Sequence, residues 1–392
     1  MVTFDFNKYV NLRFEKLNLD ALTNLMIKDN KMMGWFDLDS RYIEDIKETA
    51  NQIKEKSDVF LIIGAGGSIN CSKAIIDAFK PHFKKKKPEI IYLGDSLSSD
   101  YLLELLEYIK NKKVFVNIIS KSANTLEVNL ATDIIMYLLN KKYSKEELKD
   151  RVIITTENVD NPLTRLAREY GFKRYVIEKE IGGRYSMFTP ASLLPMAVAG
   201  INLELFFLGA KEAKDNLSDC YKYVLYRYNM YLSNLVVEAY NVYDPKLKSF
   251  LEWVKQLFAE SQGKNGRGIL PIANINTGDL HSMWQFMQDG LNIVFETNIY
   301  NHSIKDTKIT KYNKTMDDIN YIALKSVAKS HFENNKNGII IEMDKIDELN
   351  LGYLAYFFML SAALGGYLLN VNYYDQEGVN NYKKIMLEEL SK

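Results

Sequence analysis

The stretch DVFLIIGAGGSINCSKAIIDAF (58–79) decides the fold. DVFLIIG (58–64) is a short apolar run ending in glycine, and INCSKAIIDAF (69–79) follows with helical spacing. The same alternation continues outward. EIIYLG (89–94) precedes SDYLLELLEYI (99–109), and VFVNIIS (114–120) precedes a helix near 124–140. RVIITT (151–156) leads to a helix from Pro162 and then to RYVIE (174–178). Short apolar strands separated by amphipathic helices predict an α/β fold with a parallel sheet covered on both faces. In such sheets ligands bind beyond the carboxyl ends of the strands.

After about residue 190 the pattern changes. TPASLLPMAVAGIN (189–202) is punctuated by Pro and Gly and leads into predicted helices across 204–260. Further strands are predicted in GRGILPI (266–272), NIVFETN (292–298) and GIIIEM (338–343), and a last helix from about 378. The expected organisation is two units, 1–200 and 201–392. The whole chain holds only seven prolines and shows no low-complexity linker, so the units are expected to pack without a tether. LAYFFMLSAALGGYLL (354–369) is too short and Gly-interrupted for a membrane span and reads as a buried helix.

The 392 residues carry 50 Lys plus Arg and 50 Asp plus Glu, so no global field favours nucleic acid or membrane. An anionic ligand must be held by a local cluster. Cys71 and Cys220 form no CxxC pair, which argues against a disulfide scaffold and suits a reduced, cytoplasmic setting. The start MVTFDFNKYV has no basic region followed by an apolar one, so no signal peptide is expected. The four histidines lack metal-ligand spacing, so no metal and no cofactor is expected.

Several turns carry candidate chemistry. GAGGS (64–68) lets backbone N–H groups approach a phosphate, with Ser68 at the helix start. A dinucleotide fingerprint needs a third glycine where Ile69 stands, so a nicotinamide dehydrogenase fits poorly. SKSANTLE (120–127) offers the hydroxyls of Ser120, Ser122 and Thr125 beside Lys121, a cradle for a dianion or equally an ordinary capping stretch. IGGRYS (181–186) sets Arg184 behind two glycines, where it can offset a developing oxyanion or simply pair a carboxylate. Glu260 and His281 are candidate acid–base groups, although a lone Glu or His is more often structural. Gln376 and Lys383 lie in YYDQEGVNNYKK (373–384), which also fits a loop and a surface lysine.

Taken together and in order, these segments resemble the glucose-6-phosphate isomerase family. The resemblance rests on GWFDLDS (34–40), GAGGS, SKSANTLE, EIGGRYSMFTPASLLPMAVAGIN (180–202), ESQGKNGRG (260–268), DLHS (279–282) and DQEGVNNYKK (375–384). It implies two sugar-isomerase domains and a homodimer whose active site is shared between subunits. It also implies interconversion of glucose 6-phosphate and fructose 6-phosphate through a cis-enediol, in glycolysis and gluconeogenesis. Glu260 aligns with the general base and Arg184 with the arginine near the enediolate. His281, from the partner subunit, and Lys383 align with groups assisting ring opening, and Gln376 with a substrate contact. Ser68, Ser120, Lys121, Ser122 and Thr125 align with the phosphate-binding turns.

The chain departs from the pattern at several positions. Ala123 stands where the family has Gly, Asn124 and Leu126 where it has Thr, Ala259 for Gly and Gln262 for Glu. Asn380 stands where Glu is common. The chain reads as a shortened member with trimmed loops. The altered phosphate loop leaves one alternative open, a sugar-phosphate-binding regulator of the same fold. A mannose-phosphate side activity is the other, though the Gly-Gly-Arg and Glu segments resemble the single-substrate type.

Overall fold

The computed structural model describes residues 1–10, 18–29, 32–84 and 86–392. Its first sheet holds β2 (Val59–Ile63), β3 (Glu89–Leu93), β4 (Val114–Ile119), β5 (Val152–Thr156) and β6 (Lys173–Val176). They pair in parallel in the order β3-β2-β4-β5-β6, as the alternation predicted. Every residue of β2 is buried. Its side chains alternate between two cores: Phe60 and Ile62 face one, Val59, Leu61 and Ile63 the other. That double burial is why the sequence shows an unbroken apolar run.

The second sheet contains β1 (Val2–Asp5), β7 (Val237–Val242), β8 (Leu270–Ile275), β9 (Val294–Asn301) and β12 (Gly338–Met343), in the order β1-β12-β9-β7-β8. A small hairpin, β10 (Lys308–Ile309) with β11 (Lys314–Thr315), stands outside both sheets. Two findings depart from the sequence expectation. The span 204–260 is not helical throughout, because VEAYNV (237–242) is a strand between β8 and β9. It escapes an apolar reading because it carries Glu238 and Asn241, both fully buried. The strand expected at 266–272 begins later, at Leu270.

β1 pairs antiparallel with β12, so the extreme N-terminus belongs to the sheet of the second unit. One core runs through both halves, joining Ile62 and Phe115 of the first sheet to Tyr240 and Ile299 of the second. The helix Glu348–Leu368 lies within it: it is long and apolar enough to span a membrane, but 83% of its apolar window is buried inside the fold. The helices that matter for the site are Gly67–Phe79, which follows β2, and Lys248–Gln262, which packs against it.

Candidate active site

The glycine turn after β2 is shaped by close approach. Gly67 lies so near the 183–184 backbone that a Cβ there would sit 2.3 Å from the carbonyl carbon and oxygen of Gly183. Gly66 takes a positive φ of 54° and faces Gln256, whose Nε2 would lie 3.1 Å from an added Cβ. The turn therefore touches both IGGRYS and the helix that bears Glu260. Gly67→Ala is expected to destabilise the protein by about 1–3 kcal/mol through overpacking and to lower turnover by displacing Arg184. Gly183→Ala has nothing within 4 Å of its new methyl. It should leave stability within about 0.5 kcal/mol. Urea midpoints for the pair check the contrast.

Arg184 is 1% exposed and Glu260 33%, and they form the centre of the site at 2.8 Å from Nη1 to Oε2. The guanidinium is fixed by four hydrogen bonds. Nε donates to Ser261 Oγ at 3.1 Å, Nη1 to Glu260, and Nη2 to the carbonyls of Tyr373 (3.0 Å) and Asp375 (2.9 Å). An arginine has five N–H donors, so one Nη1 N–H remains for a ligand. Ser261 also shares a hydrogen bond with the Tyr185 hydroxyl at 3.0 Å. Burial pushes that phenol up to about 12, so it stays neutral.

The Glu260 carboxylate is held from three sides. Besides Arg184, Gln256 Nε2 donates to Oε1 at 2.9 Å and Gln376 Nε2 to Oε2 at 2.9 Å. Gln256 is oriented in turn by Asn70 Nδ2, 2.7 Å from its Oε1. A chain of hydrogen bonds thus runs from the helix of the glycine turn to the carboxylate. The sequence reading missed Gln256 and Asn70. The signal for Gln256 was present, since it lies one helical turn before Glu260 and shares its face.

The loop after β4 is tight. Ala123 N donates to Ser120 Oγ at 3.1 Å, and Asn124 N to Ser122 Oγ at 3.4 Å. Ala123 has a φ of +56°, the left-handed region in which the glycine expected there would be unstrained. Thr125 precedes the helix Leu126–Lys142 and its side chain makes no cap hydrogen bond. Lys121 departs from a phosphate-facing role for its ammonium: Nζ donates to the carbonyls of Lys179 (2.7 Å) and Ile181 (3.0 Å). It ties this loop to the segment that delivers Arg184, and burial draws its pKa down.

His281 and Lys383 stand apart from the cluster. His281 is exposed at the end of the short turn Gly278–His281, and Lys383 is exposed on the helix Asn380–Leu390. Neither makes a hydrogen bond or ion pair with Arg184, Glu260 or Gln376 among the described residues. Asp375, by contrast, anchors the C-terminal loop, with Lys264 Nζ 2.7 Å from its Oδ1. Gln262 is buried: it takes Arg227 Nη1 at 2.8 Å and donates to the Ala362 carbonyl at 3.0 Å. A glutamate there could not make the second bond. Among the described residues no group of three or more His, Cys, Asp or Glu is placed to hold a metal ion.

The buried Arg184 guanidinium and the partly exposed Glu260 carboxylate are thus the centre of an α/β fold built on two main sheets. The structure is similar to that of a hypothetical protein from Thermus thermophilus, with a TM-score of 0.89, 24% identity and 95% of each chain covered. A glucose-6-phosphate isomerase from Chlamydia trachomatis matches with a TM-score of 0.77 at 19% identity, over 97% of this chain and 76% of that one. The Phosphoglucose isomerase family model matches residues 41–323. A glucose-6-phosphate isomerase of Fusobacterium nucleatum is 37% identical, over 99% of this chain and 94% of that protein. One from Clostridioides difficile is 37% identical over 95% and 90%. The chain belongs to the phosphoglucose isomerase family.

Proposed function

We propose that this chain interconverts glucose 6-phosphate and fructose 6-phosphate, an aldose–ketose isomerisation through a cis-enediol. The Arg184–Glu260 pair carries this reading, because it joins a fixed carboxylate to a buried cation with a free N–H. Glu260 removes the proton from C2 and returns it to C1, so that one carboxylate serves both carbons. Arg184 faces the oxygen on which negative charge develops, and in a site shielded from water such a donor acts strongly. Gln376 and Gln256 hold the carboxylate in line. Ser68, Ser120, Ser122 and Thr125, with the backbone N–H groups of their turns, receive the phosphate. The ammonium of Lys121 braces that loop.

His281 and Lys383 are assigned to ring opening. Their exposed positions suit a homodimer in which a second copy of the chain supplies His281. The same reading places the enzyme in the cytoplasm, in glycolysis and gluconeogenesis. A pure binder would have no use for a carboxylate fixed by Arg184, Gln256 and Gln376. The test is a coupled assay with fructose 6-phosphate in EDTA, reading glucose 6-phosphate. Turnover is expected. Binding of fructose 6-phosphate without turnover would overturn the reading in favour of the regulator.

A further inference from the structure

A cavity of about 790 Å³ lies at the outer edge of the first sheet, under the loop between the helix Gly67–Phe79 and β3. Arg184, Glu260 and Gln376 are not among its lining residues. Its size falls within the roughly 300–1,000 Å³ common for small-molecule sites. The lining combines two chemistries. One is apolar and aromatic, built from Ile76, Phe79, Ile90, Tyr92 and Val198. The other is a cationic rim of Lys73, Lys80, Lys84, Lys86 and Lys87.

The five lysines of this rim outnumber the three carboxylates of the lining, Asp77, Glu89 and Asp95. Asp77 accepts from Ser249 Oγ at 2.5 Å and Glu89 from the Tyr108 hydroxyl at 2.5 Å. Lys87 pairs with Asp58 at 2.8 Å, outside the cavity. Lys73, Lys80, Lys84 and Lys86 form no ion pair with a described residue. Lys73 Nζ lies 5.4 Å from the centre of the Tyr92 ring. The Tyr92 hydroxyl is enclosed, so Tyr92 presents its ring to the cavity.

We propose that this cavity binds an organic polyanion with a planar aromatic body, the class represented by nucleoside polyphosphates. The base lies against Phe79, Ile90 and the Tyr92 ring, and the phosphates meet the lysine rim. The apolar and aromatic wall selects the body, and the lysines select the charge. Neither half alone explains both features.

Isothermal titration calorimetry at about 0.15 M salt, where weak surface attraction is screened, provides the test. ATP is expected to bind, with adenosine and inorganic tripolyphosphate each at least about tenfold weaker, since each meets only one half of the site. Ala199→Trp fills the cavity from the C-terminal end of the helix Pro190–Ala199, which helps line it. It should weaken ATP by a similar factor. Lys84→Ala with Lys86→Ala, both exposed, is the second variant and should do the same. Absent ATP binding, tripolyphosphate binding as tight as ATP, or ATP binding unchanged in both variants would each overturn the proposal.

Discussion

Glu260→Gln should lower turnover with fructose 6-phosphate by at least about 10²–10⁴-fold, the usual contribution of a general base. The amide keeps the shape of the carboxylate but cannot accept the proton that fructose 6-phosphate gives up at C1. It also leaves Arg184 an oxygen to donate to, whereas Glu260→Ala would strand a buried cation. The hydrogen bonds predict a second, smaller effect. The carboxylate now accepts from Arg184, Gln376 and Gln256. The NH₂ of the new amide meets a donor on at least one side. Gln256 could turn its oxygen round only by giving up Asn70. A stability loss of about 1 kcal/mol follows, with phosphate binding nearly intact. Exchange of a C1 hydrogen of fructose 6-phosphate with deuterated solvent reads the chemical step itself. Turnover within tenfold of the unsubstituted enzyme would remove Glu260 from the base role.

Glu238→Ala is expected to cost about 3–5 kcal/mol of stability. Arg227 and Glu238 are 2% and 0% exposed and meet at 2.6 Å. The Glu238 carboxylate also accepts from the hydroxyls of Tyr223, Tyr240 and Thr297, each at 2.7 Å. Removing it leaves a guanidinium and three hydroxyls short of a partner in a closed core. The effect reaches the site. Arg227 bonds Gln262 and lies 4.0 Å over the Phe258 ring, and both are on the helix that carries Glu260. Urea denaturation measures the first consequence and kcat the second. A loss below about 1 kcal/mol would show that the network does not hold the core.

The same network explains what the sequence hid. β2 could be read directly, because a strand buried on both faces is apolar without interruption, and β4 and β5 nearly so, broken only by Asn117 and by Thr155 and Thr156. β7 could not. Its Glu238 and Asn241 look like solvent-facing residues, and only the partners brought from Tyr223, Arg227 and Glu296 make their burial tolerable. β1 is four residues long and half-exposed, so no periodicity separates it from a loop. In the site, Arg184, Glu260 and Gln376 stood in recognisable motifs, and the structure brings them together. Lys121 lay in such a motif too, yet its ammonium braces the 179–181 backbone, a direction that no local pattern encodes. Gln256 and Asn70 lay between motifs.

The pairing of β1 with β12 also has a temporal side. Val2–Asp5 is made long before its partner Gly338–Met343. Parallel β2–β6 can assemble while synthesis continues, since all their residues lie before Arg184. The N-terminal strand cannot, and closing a loop of that length costs entropy that only the finished sheet returns. During translation it waits as an unpaired edge, exposed to other nascent chains. Removing the residues from 338 onward would therefore also strip Val2–Asp5 of its strand partner.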